Sequence, residues 1–120
     1  MKLKLTNKIV KSIENEAVAN FPKDCKGILI GNSKTGEVRE ARALENGISK
    51  VGDGDVIGFY HSHPNGGSEP TNDDVREFKG MAEKPYVILS FDHGKPESLM
   101  AWKHEGHEFK KEGLLIEILG

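Results

Sequence analysis

The run His61-Ser-His63, followed eleven residues later by Asp74, constrains this 120-residue chain more than any other feature. The two histidines close an apolar, β-branched and aromatic stretch, Val56-Ile57-Gly58-Phe59-Tyr60, which reads as a strand. Alternate side chains of a strand share a face, so both imidazoles turn to the same side. The segment Pro64-Asn65-Gly66-Gly67-Ser68-Glu69-Pro70 is turn material, and Thr71-Asn72-Asp73-Asp74 reads as an N-cap followed by the first turn of a helix. The chain must therefore adopt a fold that brings a helix start, with its carboxylate, back to a strand end with two imidazoles.

Two neutral imidazoles and a carboxylate are three of the four corners that zinc takes, and a catalytic zinc keeps the fourth for water. His61, His63 and Asp74 are accordingly the expected metal ligands, and Zn2+ the expected cofactor. Zinc in such a setting lowers the pKa of bound water from about 15.7 toward roughly 7, so the reaction class indicated is metal-assisted hydrolysis. The same letters permit a plainer reading. Thr71 and Asp74 spell a T-x-x-D capping box, in which the aspartate only complements a helix dipole and the histidines are ordinary strand residues.

His61-x-His63-x7-Thr71-x2-Asp74 resembles the signature of the JAMM (MPN+) zinc metalloprotease family, HxHx7SxxD. The resemblance takes in nearly the whole chain. It includes Pro64 directly after the second histidine, the upstream Phe21-Pro22-Lys23-Asp24-Cys25-Lys26-Gly27-Ile28-Leu29-Ile30-Gly31, and the later runs Pro85–Ser90 and Leu99–Trp102. It implies an α/β fold of one domain over residues 1–120, a mixed β-sheet packed against helices in a cytidine-deaminase-like architecture. It also implies zinc held by His61, His63 and Asp74, and hydrolysis of isopeptide or peptide bonds beside a ubiquitin-like modifier or a small sulfur-carrier protein.

Two positions depart from the pattern. The family's serine is Thr71, which keeps a hydroxyl able to donate to the oxyanion of a tetrahedral intermediate. The family's catalytic glutamate falls at Asp24, a carboxylate shorter by one C–C bond, about 1.5 Å. A general base must come within about 2.6–3.2 Å of the proton it takes, or act through one water, so the shorter side chain needs a closer strand. The stretch from Glu45 to Asp55 is short for this family, which leaves the groove for a modifier's tail more open. Two alternatives stand beside the isopeptidase reading: a degenerate MPN-like scaffold that has lost turnover through Asp24, and a zinc hydrolase of small peptides or amides.

The remaining sequence fits a single small domain. Thr6 caps a helix running to about Asn20, with Ile9, Ile13 and Ala17 on one face and Pro22 beyond its end. Strands are expected at Gly27 to Gly31 and Glu37 to Leu44, a hairpin, and then at the histidine run. A capped helix carrying Val75, Phe78 and Ala82 follows, and strands at Pro85 to Phe91, Ser98 to Lys103 and Leu114 to Leu119 complete one sheet. Cys25, the lone cysteine, reads as a small core residue, and Ser62 as a structural residue on the strand face opposite the histidines. His93, His104 and His107 read as solvated loop residues, and Trp102 and Phe109 as core or sheet-face residues. A formal charge of −2 with scattered basic residues gives no footprint for nucleic acid. No apolar run approaches a membrane span, and Met1 to Leu5 lacks a signal-peptide stretch, so the cytoplasm is the expected compartment.

Overall fold

The computed structural model describes residues 2–44, 55–65, 67, 69, 71, 84–105, 108–111 and 116–119. Its first helix, α1 (Asn7–Asn20), begins where the sequence places a cap: the Thr6 hydroxyl accepts from the Ile9 backbone N–H at 3.1 Å. It ends as the Phe21 N–H donates to the carbonyls of Ala17 and Val18. Ile13 and Ala17 are buried and Ile9 packs against the same core, which is the predicted face.

Eight strands accompany it among the described residues: β1 (Leu3–Thr6), β2 (Lys26–Gly31), β3 (Val38–Ala43), β4 (Asp55–His63), β5 (Pro85–Asp92), β6 (Lys95–Glu105), β7 (Glu108–Lys111) and β8 (Ile116–Leu119). Six of them form one sheet in the order β3-β2-β4-β5-β6-β7, in which β4 and β5 run parallel and every other pair is antiparallel. The architecture is the expected mixed sheet with a helix on one face. Between β5 and β6 the chain turns on His93 and Gly94, both at positive φ (51° and 78°), the signature of a two-residue type I′ hairpin.

The strand that carries the histidines lies inside this sheet, flanked by β2 and β5, and from Ile57 onward every residue of β4 is buried. One core cluster fills the α1 side with Leu5, Ile13, Leu29, Tyr60 and Leu89, and a second fills the other side with Ile28, Ile30, Phe59, Tyr86, Ile88 and Trp102. Gly27 is required where the Tyr60 ring crosses β2: an added Cβ would lie 2.2 Å from that ring and 2.4 Å from the Arg42 carbonyl oxygen.

The expectation of a single sheet completed by Leu114 to Leu119 is corrected. Ile116–Leu119 pairs in parallel with Leu3–Thr6, in a separate two-stranded sheet. Leu3 and Leu5 are fully buried there, so the alternating Leu3-Lys4-Leu5-Thr6 is a strand that the sequence reading passed over as a plain N-terminal stretch. The β6 strand is longer than Ser98 to Lys103, and β7 adds an edge to the main sheet. Trp102 is a core residue, and His93 has a side chain 91% exposed. The expected helix after Thr71, with Val75, Phe78 and Ala82, lies outside the described residues, as do Glu45 to Gly54, His107 and the side chains of His104 and Phe109. No helix of the described residues is long and apolar enough to cross a membrane.

Candidate metal centre

The two histidines do what their spacing requires. His61 and His63 are both buried and present their rings on one face of β4, with centroids 5.1 Å apart and planes at 81°. Two imidazoles bound through one nitrogen each to a tetrahedral ion, at about 2.0–2.1 Å, have centroids about 5.2 Å apart, so the pair is spaced as two ligands of one zinc would be.

Each ring is also held by its Nδ1. His63 Nδ1 lies 2.9 Å from the Gly67 carbonyl oxygen, and His61 Nδ1 lies 2.8 Å from the Tyr86 hydroxyl. Metal-binding histidines commonly keep one ring nitrogen on an oxygen partner and give the other to the ion, which orients the ring. The first partner is local in the chain, the backbone carbonyl of the residue four positions after His63. The parallel β4–β5 register supplies the second: Phe59 pairs with Tyr86, which sets the phenol on the histidine face one step before His61.

Asp24 comes to the opposite edge of His61. Its Oδ2 is 2.5 Å from His61 Nε2, and its side chain is 62% exposed. The shorter side chain therefore does reach the histidine centre. It is carried there by the end of the β2–β4 ladder, whose last pair is Lys26 with His61. One residue beyond, Cys25 and Ser62 continue the pairing: the Ser62 N–H donates to the Cys25 carbonyl at 2.9 Å, and the Cys25 N–H donates to the Ser62 hydroxyl at 2.8 Å.

Thr71 is exposed, and Asp74, the expected third ligand, lies outside the described residues. Among the described residues no three His, Cys, Asp or Glu side chains are gathered to hold an ion. What is described is two of the three expected ligands, a pair of oriented imidazoles whose chemistry and spacing fit one zinc ion, with the Asp24 carboxylate beside them.

Behind the sheet, a different group of polar side chains keeps away from the centre. The Tyr60 hydroxyl donates to Glu16 Oε2 at 2.7 Å and to Oε1 at 3.2 Å. Burial raises the Glu16 carboxyl above its usual range, and hydrogen bonds from Tyr60 and Cys25 offset part of the rise. Burial pushes the Cys25 thiol up to about 11, which fits a core residue and not a nucleophile.

Sequence reasoning missed Tyr86 and the Gly67 carbonyl. Tyr86 reads as one more aromatic residue in an apolar strand, and the available signal was chemical: a phenol in a core run needs a hydrogen-bond partner.

The chain belongs to the prokaryotic homologs of the JAB domain, whose family model matches residues 6–105. That family includes zinc isopeptidases. Solved structures agree on the fold. A protein from Desulfitobacterium hafniense is 18% identical, with a TM-score of 0.77 over 98% of this chain and 92% of its own. A JAB1/MPN domain protein from Archaeoglobus fulgidus is 18% identical, with a TM-score of 0.74 over 99% and 98%. A structure described as a JAMM metalloprotease-like zinc site in the proteasome and signalosome is 19% identical, with a TM-score of 0.70 over the full length of both chains. Among functionally curated proteins, none matches.

Proposed function

We propose that this protein is a zinc-dependent peptidase that hydrolyses the isopeptide or peptide bond at the C-terminus of a ubiquitin-like modifier or a small sulfur-carrier protein. The observation that carries the reading is the His61–His63 pair, spaced for one ion, oriented through Nδ1, and met at its edge by Asp24. His61, His63 and Asp74 would hold the zinc, which supplies Lewis acidity and makes a coordinated water acidic enough to attack near neutral pH.

Asp24 is the general base in this reading. Its carboxylate takes the proton of the attacking water and passes it to the departing amine, and its 62% exposed side chain has the freedom to swing between those positions. Thr71 offers its hydroxyl to the oxyanion. The modifier's tail is taken in extended form along a sheet edge.

The test is incubation with a modifier–lysine conjugate, with and without a chelator. Cleavage that the chelator abolishes and zinc restores is the expected result. A second reading is a scaffold that keeps the fold without turnover, because an aspartate, Asp24, stands where the family has its catalytic glutamate. Bound zinc with no cleavage of any conjugate would favour it. Cleavage of short peptides or amides alone would favour a small-molecule hydrolase.

A further inference from the structure

Among the described residues three large apolar side chains stand exposed, Val18 (51%), Phe21 (39%) and Ile118 (48%), and all three lie along one groove. The groove has a volume of about 380 Å³ and runs between α1 and β6, with Val10 and Glu14 on the helix side, Leu89 and Leu99 in its floor and Ile118 of β8 on its rim. Val18 continues the helix wall, one turn beyond Glu14 as Glu14 is one turn beyond Val10. Phe21 carries the same line past the end of α1, where it stacks on Phe91 with centroids 5.4 Å apart, and Phe91 follows Leu89 on one face of β5. Contiguous exposed apolar surface of this kind marks a contact with another protein. Its charges say what the contact must bring. Glu14 and Glu97 both line the groove, neither carboxylate has a hydrogen bond or ion pair among the described residues, and the described lining holds no Lys or Arg. The cation stands just outside. At 3.6 residues per turn, Val10, Lys11, Glu14 and Val18 fall within an arc of about 100° on the groove flank of α1, while Ile9, Ile13 and Ala17 turn to the core. Lys11 is exposed and has no hydrogen bond or ion pair among the described residues.

We propose that this groove is the interface of a homodimer, in which the α1 helices of two copies pack antiparallel about a two-fold axis near Glu14. The stripe is complementary to itself when reversed, which is what a two-fold contact demands, since residue i then meets j and j meets i. Val18 of each copy falls over Val10 of the other and covers the apolar wall of the groove. The two Glu14 carboxylates meet at the axis, and Lys11 of each copy lies about 4.5 Å along the helix from Glu14 of the other, within reach of its long side chain. The two ammonium groups thus bracket the two carboxylates. Leu89 belongs to the core cluster on the α1 side of the sheet and the imidazoles lie on the other side, so the dimer leaves both histidine centres open. The inference does not depend on the zinc reading.

Sedimentation equilibrium of the full chain at roughly 1 to 100 μM reads the association directly. A monomer–dimer equilibrium is expected in that range. Lys11→Glu should weaken it by about 10-fold or more, because the change sets like charges together twice in each dimer. Glu14→Lys should weaken it in the same way. The double variant Lys11→Glu, Glu14→Lys exchanges the two charges and should return to within a few-fold of the wild type, a recovery that damage to the fold would not give. Val18→Gln, at an exposed helix position, should also weaken the dimer, whereas Lys8→Glu makes the same charge change off the stripe and should leave it as it is. A chain that stays monomeric throughout the range overturns the inference and leaves the groove to a different protein. A dimer that Lys11→Glu and Val18→Gln both leave unchanged overturns it too, because such a dimer joins through another face. A double variant that associates no better than either single one removes the Lys11–Glu14 pairing and with it the proposed arrangement.

Discussion

The Ser62 hydroxyl accepts the Cys25 backbone N–H at 2.8 Å, and this bond fastens the residue between the two histidines to the residue after Asp24. Ser62 is 1% exposed and lies on the sheet face opposite the imidazoles, so it takes no part in their chemistry. Its effect is on placement. It continues the β2–β4 pairing one residue past the Lys26–His61 pair and so delivers Asp24 to the His61 ring. Ser62→Ala leaves the Cys25 N–H buried without this acceptor, which should cost about 1–3 kcal/mol in denaturant unfolding. The variant should bind zinc as the wild type does and turn over more slowly, because Asp24 is less well placed. Unchanged stability and unchanged rate together would show that the bond places nothing.

The zinc reading makes a stoichiometric prediction. Purified protein should carry about one zinc per chain by elemental analysis, and His61→Ala with His63→Ala should remove it, because two of three protein ligands are gone. Both rings are buried, so a melting curve must accompany the measurement. A folded double variant with full zinc content would place the metal elsewhere.

Local chemistry made much of this molecule legible before its fold was known. Thr6 announced α1, and the i and i+2 histidines announced a shared face, because caps and strand alternation are set by a few neighbouring residues. The meeting of Asp24 with His61 was legible only through family resemblance, since the two are 37 residues apart. Tyr86 was not legible as a partner of His61. Its position depends on the parallel register of β4 and β5, and a parallel pair is joined by a crossover whose length and path no local pattern fixes. The β1–β8 sheet escaped for a related reason: a strand at Leu114 to Leu119 was legible, but no local pattern marks its pairing with Leu3–Thr6 at the other end of the chain.

Glu16 tests the electrostatics behind the sheet. Burial raises its folded-state carboxyl above the ordinary value of 4.5, so the protonated form is favoured by folding. The stability tied to this group is fully present below the unfolded value and is lost as pH rises through the folded one. Glu16→Gln keeps an oxygen that accepts from the Tyr60 hydroxyl and removes the half-buried charge. It should melt higher than the wild type at pH 7, by a modest margin because the group is partly solvated, and the margin should vanish by pH 4. A variant that melts lower at pH 7 would show that the charged acceptor is worth more to Tyr60 than its burial costs.

Asp24 carries the greatest weight in the proposed reaction. The carboxylate already touches His61 Nε2 at 2.5 Å, so its shorter side chain is no bar to reaching the centre. Asp24→Asn is nearly isosteric and cannot take a proton, so it should keep the fold and the zinc while losing most turnover, on the order of 10²–10⁴-fold for a lost general base. Asp24→Glu adds about 1.5 Å of reach. Because the native side chain is 62% exposed, the longer one has room to bend away from the ring, and activity should survive. Zinc content and conjugate cleavage, measured on the same preparations of both variants, separate the roles: loss of metal in Asp24→Asn would make this carboxylate a ligand, and cleavage at the wild-type rate would put the proton transfer on another group.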